Sequence, residues 1–460
     1  MYPSSSSLLN DPEGDIASRQ KKSSLSDMRK EKAGNDRIDI IDSVRGIALL
    51  GVLLVSINSF GRPESYAINL NLKDGYSGVN YFVWWIENSL FAGSMRALFS
   101  MLFGTSTILL LYRLEKRNNV LSPADIYYRR MLILLGFALI NGFIFLWSSD
   151  ILYSYAICGL FLFPFRNLKP KYLLAIGLVL LLVAGLRSTY SFYSAKALRE
   201  KGELVLQVEQ QGATLTPEQE STKKSWQEFQ AANNTANLQK EAEAQKVAML
   251  KGYVAVAKYS AKKTTWAQSE HFYRTGFWDI ICFFFIGMAM FKMGILSGEK
   301  SKKFYWGLML AGYVIGLFIA NYLLSSYIKA GFDESRYANY LFFDLYEEKR
   351  LFMALGHLGL IMLIYKYHLA DGLYKVFAKV GQMTLTNYMM QAAICAVIFY
   401  GFGFKLFGSL ERYQLYYVVA GIWAFQVLFS YMWMKNFKYG PFEWIWRCMT
   451  YGKMQPLRRS

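Results

Sequence analysis

Hydrophobic and polar positions in this chain fall into blocks and do not alternate. Apolar runs of 15 to 21 residues, almost free of charge, are separated by short and mostly basic stretches. About 20 apolar residues in helical form cross the ~30 Å hydrocarbon core of a bilayer. Ten runs approach that length, at about 40–60, 94–112, 131–147, 151–165, 172–187, 277–295, 304–324, 351–365, 383–400 and 414–434. They predict an all-α, polytopic membrane protein of about ten transmembrane helices. The shorter runs need their flanks, or a locally thinner bilayer, to complete the crossing. Only Ser148-Ser149-Asp150 separates the third run from the fourth, which predicts a tight helical hairpin with Asp150 capping the second helix.

Two segments break the pattern. Residues 1–37 hold no apolar run and read as a solvated, disordered cytoplasmic tail. Residues 188–276 are rich in Gln, Glu, Lys and Ala and divide the spans into a first five (38–187) and a second five (277–460). Within this loop Thr216-Pro217, with Gln219 three residues after Thr216, has the form of a helix start. A helical insertion results, expected to be separable from the core and able to dock a second copy or an envelope partner.

Charge sets the orientation. Lys and Arg total 28 in the segments flanking the odd-numbered ends (1–40, 113–130, 166–171, 292–303, 366–379 and 435–460), against fewer than ten in 61–95, 329–350 and 401–413. Basic residues favour the cytoplasmic side, so both termini are expected in the cytoplasm of a bacterial inner membrane and the insertion outside it. The net charge of +18 belongs to these loops and to lipid head groups; nucleic acid is not an expected partner. Four cysteines, Cys158, Cys282, Cys395 and Cys448, show no C-x-x-C spacing, so neither a metal site nor a disulfide framework is expected.

Ionisable groups inside apolar runs are costly in lipid and are candidates for function. Asp42 and Arg45 lie three apart at the start of the first run, on one helical face. Arg96 opens the second. His357, in Gly356-His357-Leu358-Gly359, is the histidine set deepest in a run and is the candidate proton acceptor. Thr384, Asn387 and Gln391 form one polar stripe, either interhelical contacts or a path. Near the C terminus Glu443, Arg447 and Lys453 sit in a dense Gly-Pro-Trp segment, where the two cations suit phosphates or anionic lipid.

The stretches Asp42-Ser43-Val44-Arg45-Gly46, Phe91 to Gly104, Asp150-Ile151-Leu152-Tyr153, Thr386-Asn387-Tyr388 with Gln391, and Gly440-Pro441-Phe442-Glu443-Trp444-Ile445-Trp446-Arg447 resemble the YeiB-type bacterial inner-membrane proteins. The resemblance covers about 37–187 and 270–459. It implies a core akin to the transmembrane acyltransferases, which include lysosomal heparan-α-glucosaminide N-acetyltransferase and take an acyl-CoA from the cytoplasm. On that reading acyl-CoA is a co-substrate with no bound cofactor. Arg45, Arg447 and Lys453 hold its phosphates, Asp42, Arg96, Asn387, Gln391 and Glu443 complete the binding set, and His357 is catalytic. The superfamily's outer histidine has no counterpart in 61–95, and Asn141-Gly142 stands where many relatives carry a histidine. A transporter of a small or lipidic solute and a non-catalytic assembly protein remain the alternatives.

Overall fold

The computed structural model describes residues 39–116 and 121–459; the expected tail lies outside them. The principal helices are α1 (Asp39–Gly61), α2 (Gly78–Glu115), α3 (Pro123–Phe143), α4 (Leu152–Leu160), α5 (Pro170–Gln210), α6 (Pro217–Asn233), α7 (Thr235–Met249), α8 (Tyr253–Lys292), α9 (Lys302–Lys329), α10 (Tyr346–Lys366), α11 (Asp371–Gln382), α12 (Thr384–Phe399), α13 (Arg412–Asn436) and α14 (Pro441–Tyr451). Extended pairing among the described residues is limited to one bridge, Phe437 to Arg458. Among the described residues seven helices (α1, α2, α3, α5, α8, α9 and α13) are long and apolar enough to cross a membrane. Of the other expected runs, α4 and α12 are short, and α10 carries Glu347, Glu348, Lys349 and Arg350 in its first turns.

The outer surface of the bundle explains the composition. Leu178, Val179, Leu182 and Leu186 on α5, Leu310, Val314 and Phe318 on α9, and Phe425, Leu428 and Met432 on α13 all point outward. Such continuous apolar exposure would aggregate in water and is ordinary when lipid is the solvent. Inside, helices approach backbone to backbone where side chains vanish. A methyl group on Gly287 of α8 would collide with the Met101 carbonyl of α2, and one on Gly104 of α2 with the Phe284 carbonyl of α8. This reciprocal glycine contact fixes how the two helices cross. Gly287→Val is therefore expected to cost about 3 kcal/mol or more and to abolish the monodisperse peak in detergent size-exclusion chromatography. Gly307→Val on α9, where nothing lies within 4 Å, should leave that peak intact.

The bundle has two distinct ends. At the near end α1, α3 and α12 begin, α2 and α13 finish, and α14 lies across them. Here α11 (in the stretch between two spans that the sequence reads as a loop) crosses α1 so closely that Gly381 meets the Asp42 carbonyl and Gly46 the Phe377 carbonyl. The Ser43 hydroxyl donates to the Tyr374 carbonyl at 2.9 Å.

At the far end the insertion packs into the bundle. The boundaries expected at 187/188 and 276/277 fall inside the continuous helices α5 and α8. Thr216 and Gln219 do form the reciprocal cap that opens α6. However, Met249, Val256 and Phe272 belong to the main apolar core. The Gly401 N–H donates to the Met249 carbonyl at 2.8 Å, and the Glu64 N–H to Gln245 Oε1 at 3.1 Å. Against the expectation of separability stands this packing: the descending arm carries buried core residues, and Met249 O and Gln245 Oε1 accept from the backbone of two loops.

Candidate functional site: a basic cavity at the near end

A cavity of about 420 Å³ opens among the start of α1, the end of α2, the starts of α3 and α12, and α14. Its depth is apolar, formed by Phe99, Phe103, Leu134, Leu152 and Leu385, with Tyr155 and Tyr388 at the floor. Its walls carry five cations, Arg45, Arg113, Arg130, Lys438 and Arg447, against two carboxylates, Asp42 and Glu443.

Both carboxylates are already engaged. Asp42 Oδ1 accepts from Arg45 at 2.5 Å, and the other arm of that guanidinium donates to Ser106 Oγ at 2.8 Å. Glu443 accepts from the Thr386 N–H at 3.0 Å and from the Thr386 hydroxyl at 2.6 Å. It thereby caps the first turn of α12 from another helix. Burial pushes the Glu443 carboxyl above its ordinary value, and the two hydrogen bonds from Thr386 partly oppose that rise.

The remaining cations have no carboxylate partner among the described residues. The Arg130 guanidinium lies 3.7 Å from the Trp446 ring, and the Trp446 indole N–H donates to the Arg130 carbonyl at 2.8 Å. Arg447 lies 4.3 Å from the Tyr439 ring. Cations held on aromatic faces keep their N–H groups for a ligand.

The C-terminal motif builds this wall. Gly440 precedes α14 and Pro441 occupies its first turn, a pre-set helix start. A side chain on Gly440 would collide with the Glu443 carboxylate, so glycine lets Glu443 fold back over its own helix start to reach Thr386. Gly452, at φ 63°, ends the helix in the left-handed conformation.

Of the residues singled out in the sequence, Asp42, Arg45, Glu443 and Arg447 line this cavity. Lys453 is exposed beyond the end of α14 and does not line it. Asn387 and Gln391 do not line it either: Asn387 donates to Ser430 Oγ at 2.9 Å and Gln391 to Gln426 Oε1 at 3.0 Å, which locks α12 to α13. They are helix contacts, because α13 presents matching polar groups at the same depth.

Arg96 and His357 belong to a different, buried cluster. Helix α2 is interrupted by a π turn over Glu87–Phe91 and by Gly93 at φ 77°. Carbonyls released there must find donors, and α10 supplies them. Lys349 donates to Asn88 O at 2.6 Å and to Ala92 O at 2.9 Å, and Arg350 to Gly93 O at 3.3 Å. His357 Nε2 lies 2.9 Å from Leu90 O, and its Nδ1 lies 3.0 Å from the Tyr313 hydroxyl. Arg96 pairs with Asp279 at 2.7 Å, and Asp279 and Glu347 both pair with Arg350. With both ring nitrogens engaged and no wall shared with the cavity, His357 is placed as a stabiliser of the break and not as a base beside a ligand at Arg45.

Sequence reasoning missed Arg113, Arg130 and Lys438, which it counted only as orienting charges. Arg130 carried a usable signal, as one of two adjacent arginines at the start of an apolar run. It missed Tyr388 and Trp446 as walls altogether.

Residues 290–453 match the family described as "Protein of unknown function (DUF418)". The chain is 27% identical over 441 residues to "Uncharacterized protein YxaH" of Bacillus subtilis (strain 168), covering 93% of this chain and 97% of that one. It is 26% identical over 425 residues to "Uncharacterized protein YeiB" of Escherichia coli (strain K12), covering 89% and 95%. A "39.9 kDa protein in amylase 3'region" of Bacillus acidopullulyticus is 25% identical over 92% of this chain and 96% of its own length. No solved structure matches. Near-complete coverage of the relatives, the family match over residues 290–453 and the all-helical membrane architecture agree, and together they support a YeiB-type family of membrane proteins.

Proposed function

We propose that the near-end cavity binds an acyl-CoA from the cytoplasm and that the protein passes the acyl group to an acceptor on the other side of the inner membrane. The observation that carries this reading is the mismatch of charge in the cavity. Five cations surround it, both carboxylates are engaged, and the depth is apolar. Phosphates suit the walls and an acyl chain suits the floor. The bias of basic residues toward the near-end loops supports placing that end, with both termini, in the cytoplasm, and supports ten crossings with α4, α10 and α12 included. His357 has no part in this chemistry.

Transport of an amphipathic anion is the second reading, and one contact favours it. The Tyr155 hydroxyl on the cavity floor lies 2.6 Å from Ser100 Oγ, whose helix carries Arg96 into the buried ion-pair cluster. Polar groups therefore continue past the floor.

Thermal unfolding of the detergent-purified protein separates the two. Acetyl-CoA and palmitoyl-CoA are expected to stabilise it, by about 2.7 kcal/mol at a hundredfold excess over Kd, with palmitoyl-CoA acting at the lower concentration. If no acyl-CoA stabilises while lysophosphatidate does, the donor reading falls and the transporter reading replaces it.

A further inference from the structure

Beyond the floor of the cavity lies the turn that joins α3 to α4. On α3 the cavity wall ends at Leu134. Seven residues further on, about 10 Å along the axis, Asn141 Nδ2 donates to Asp150 Oδ1 at 2.8 Å. Trp147, in the chain leaving α3, stacks on Phe60 at the far end of α1 with ring centroids 3.5 Å apart. From there the chain turns back without helix through Ser148-Ser149-Asp150, and α4 starts at Leu152, already in the cavity wall. Ser149 is exposed although its neighbours Ile151 and Leu152 are buried. The turn therefore brings far-end surface close to the near-end cavity.

Tyr388 bridges the gap. Its ring lines the cavity, and its hydroxyl accepts from the Ile151 N–H at 3.1 Å beside the Asp150 carboxylate. The hydroxyl's own proton is shared with the Asp150 carboxylate, so the two side chains form one hydrogen-bonded pair along which a proton can pass. Asp150 Oδ2 also accepts from the Tyr153 N–H at 3.1 Å, which fixes the carboxylate at the start of α4.

We propose that Asp150, with Asn141 and Tyr388, forms the acceptor site for a hydroxyl-bearing substrate arriving from the far side, where Asp150 takes the acceptor's proton. This rests on the acyl-CoA reading of the cavity. The acceptor oxygen bonds to the thioester carbonyl carbon as its proton passes to the Asp150 carboxylate. The carbon–sulfur bond breaks, and the sulfur leaves with the electron pair as CoA thiolate. Tyr388 gives its hydroxyl proton to that thiolate and recovers one from Asp150. The products are the acyl ester and CoA thiol, and the protein ends in its starting protonation state. Asn141 acts through Asp150 as a positioning residue.

Two measurements test the proposal. In a Cys448→Ser background, Ser149→Cys should react with a membrane-impermeant maleimide added outside intact cells. Labelling only from the cytoplasmic side, or none in the folded protein, overturns it. Inverted membrane vesicles holding the wild type should release CoA thiol from acetyl-CoA or palmitoyl-CoA. Asp150→Asn, which keeps a helix-capping side chain, should cut that rate at least 100-fold while retaining thermal stabilisation by acyl-CoA. Tyr388→Phe should cut it at least tenfold. An unchanged rate in Asp150→Asn overturns the acceptor site and leaves the cavity reading standing. Binding of acyl-CoA without turnover in the wild type does the same. Absence of both binding and turnover sinks the cavity reading itself.

Discussion

Asp74→Asn is expected to destabilise the protein by about 3–5 kcal/mol, the usual cost of breaking a buried ion pair from one side. The loop after α1 places Asp74 between two guanidiniums. It accepts from both Arg62 terminal nitrogens, at 2.8 and 2.7 Å, and from Arg412 Nε at 2.7 Å. The side chains of Arg62 and Asp74 are fully buried and that of Arg412 almost so. Asparagine keeps the size but removes the charge and one acceptor, leaving Arg62 without a carboxylate among the described residues and Arg412 with only Glu87, at 3.3 Å. Thermal unfolding in detergent at pH 7 measures the loss. Asp125→Asn, whose carboxylate is exposed at the start of α3, should cost less than about 1 kcal/mol.

The same site has a pH signature. Burial alone would raise the Asp74 carboxyl, but the hydrogen bonds and charges of Arg62 and Arg412 outweigh it and hold the group below its ordinary value. A depressed folded value means that its stabilisation is complete above about pH 4, near the unfolded carboxyl, and fades as pH falls through the lower folded value. The gap in stability between wild type and Asp74→Asn should narrow on acidification below pH 4. A gap constant to pH 2.5 would show that Asp74 matters by shape and not by charge.

None of this knot was legible in the chain. Positions 62, 74, 87 and 412 share no spacing, and all four lie outside or at the edge of apolar runs. The spans were legible because lipid imposes a length and a composition on each of them, one segment at a time. Helix α11 was hidden since a short amphipathic helix at the bundle end looks like a basic loop. The break in α2 was hidden too: no proline marks it, and the donors that stabilise it stand on α10. That break also misdirected the reading of His357. An ionisable group in a span is a candidate by default, and only the tertiary structure shows a released carbonyl waiting for it. Arg45 and Arg447 were readable because one interrupts an apolar run and the other sits in an unusual motif. Lys438 looked like every other loop cation until the fold gathered it, and the one signal for Arg130 was its place in an arginine pair at the start of an apolar run.

Neutralising that gathered charge should have the largest effect on ligand binding. In Arg130→Gln with Arg447→Gln, two guanidiniums that hold no carboxylate among the described residues lose their charge together. A hydrogen bond to a charged group contributes about 1.5–3 kcal/mol, and each 1.4 kcal/mol is a factor of ten. The Kd for acyl-CoA measured by calorimetry should rise at least 100-fold, with a weaker dependence on salt as fewer phosphate contacts remain. Folding should change less than when an ion pair is broken, since neither guanidinium holds a carboxylate within ion-pair reach among the described residues and Glu443 keeps its two hydrogen bonds from Thr386. Arg45 behaves differently because it holds Asp42. Arg45→Gln leaves that carboxylate on the wall of a cavity and should lower thermal stability, and Asp42→Asn in the same chain should restore it. Arg45→Lys keeps the charge but not the geometry that reaches Asp42 and Ser106 together, so it should weaken binding without that loss of stability. If the Arg130 and Arg447 variants bind acyl-CoA as the wild type does, the cations serve only to orient the protein against anionic lipid, and the ligand lies elsewhere.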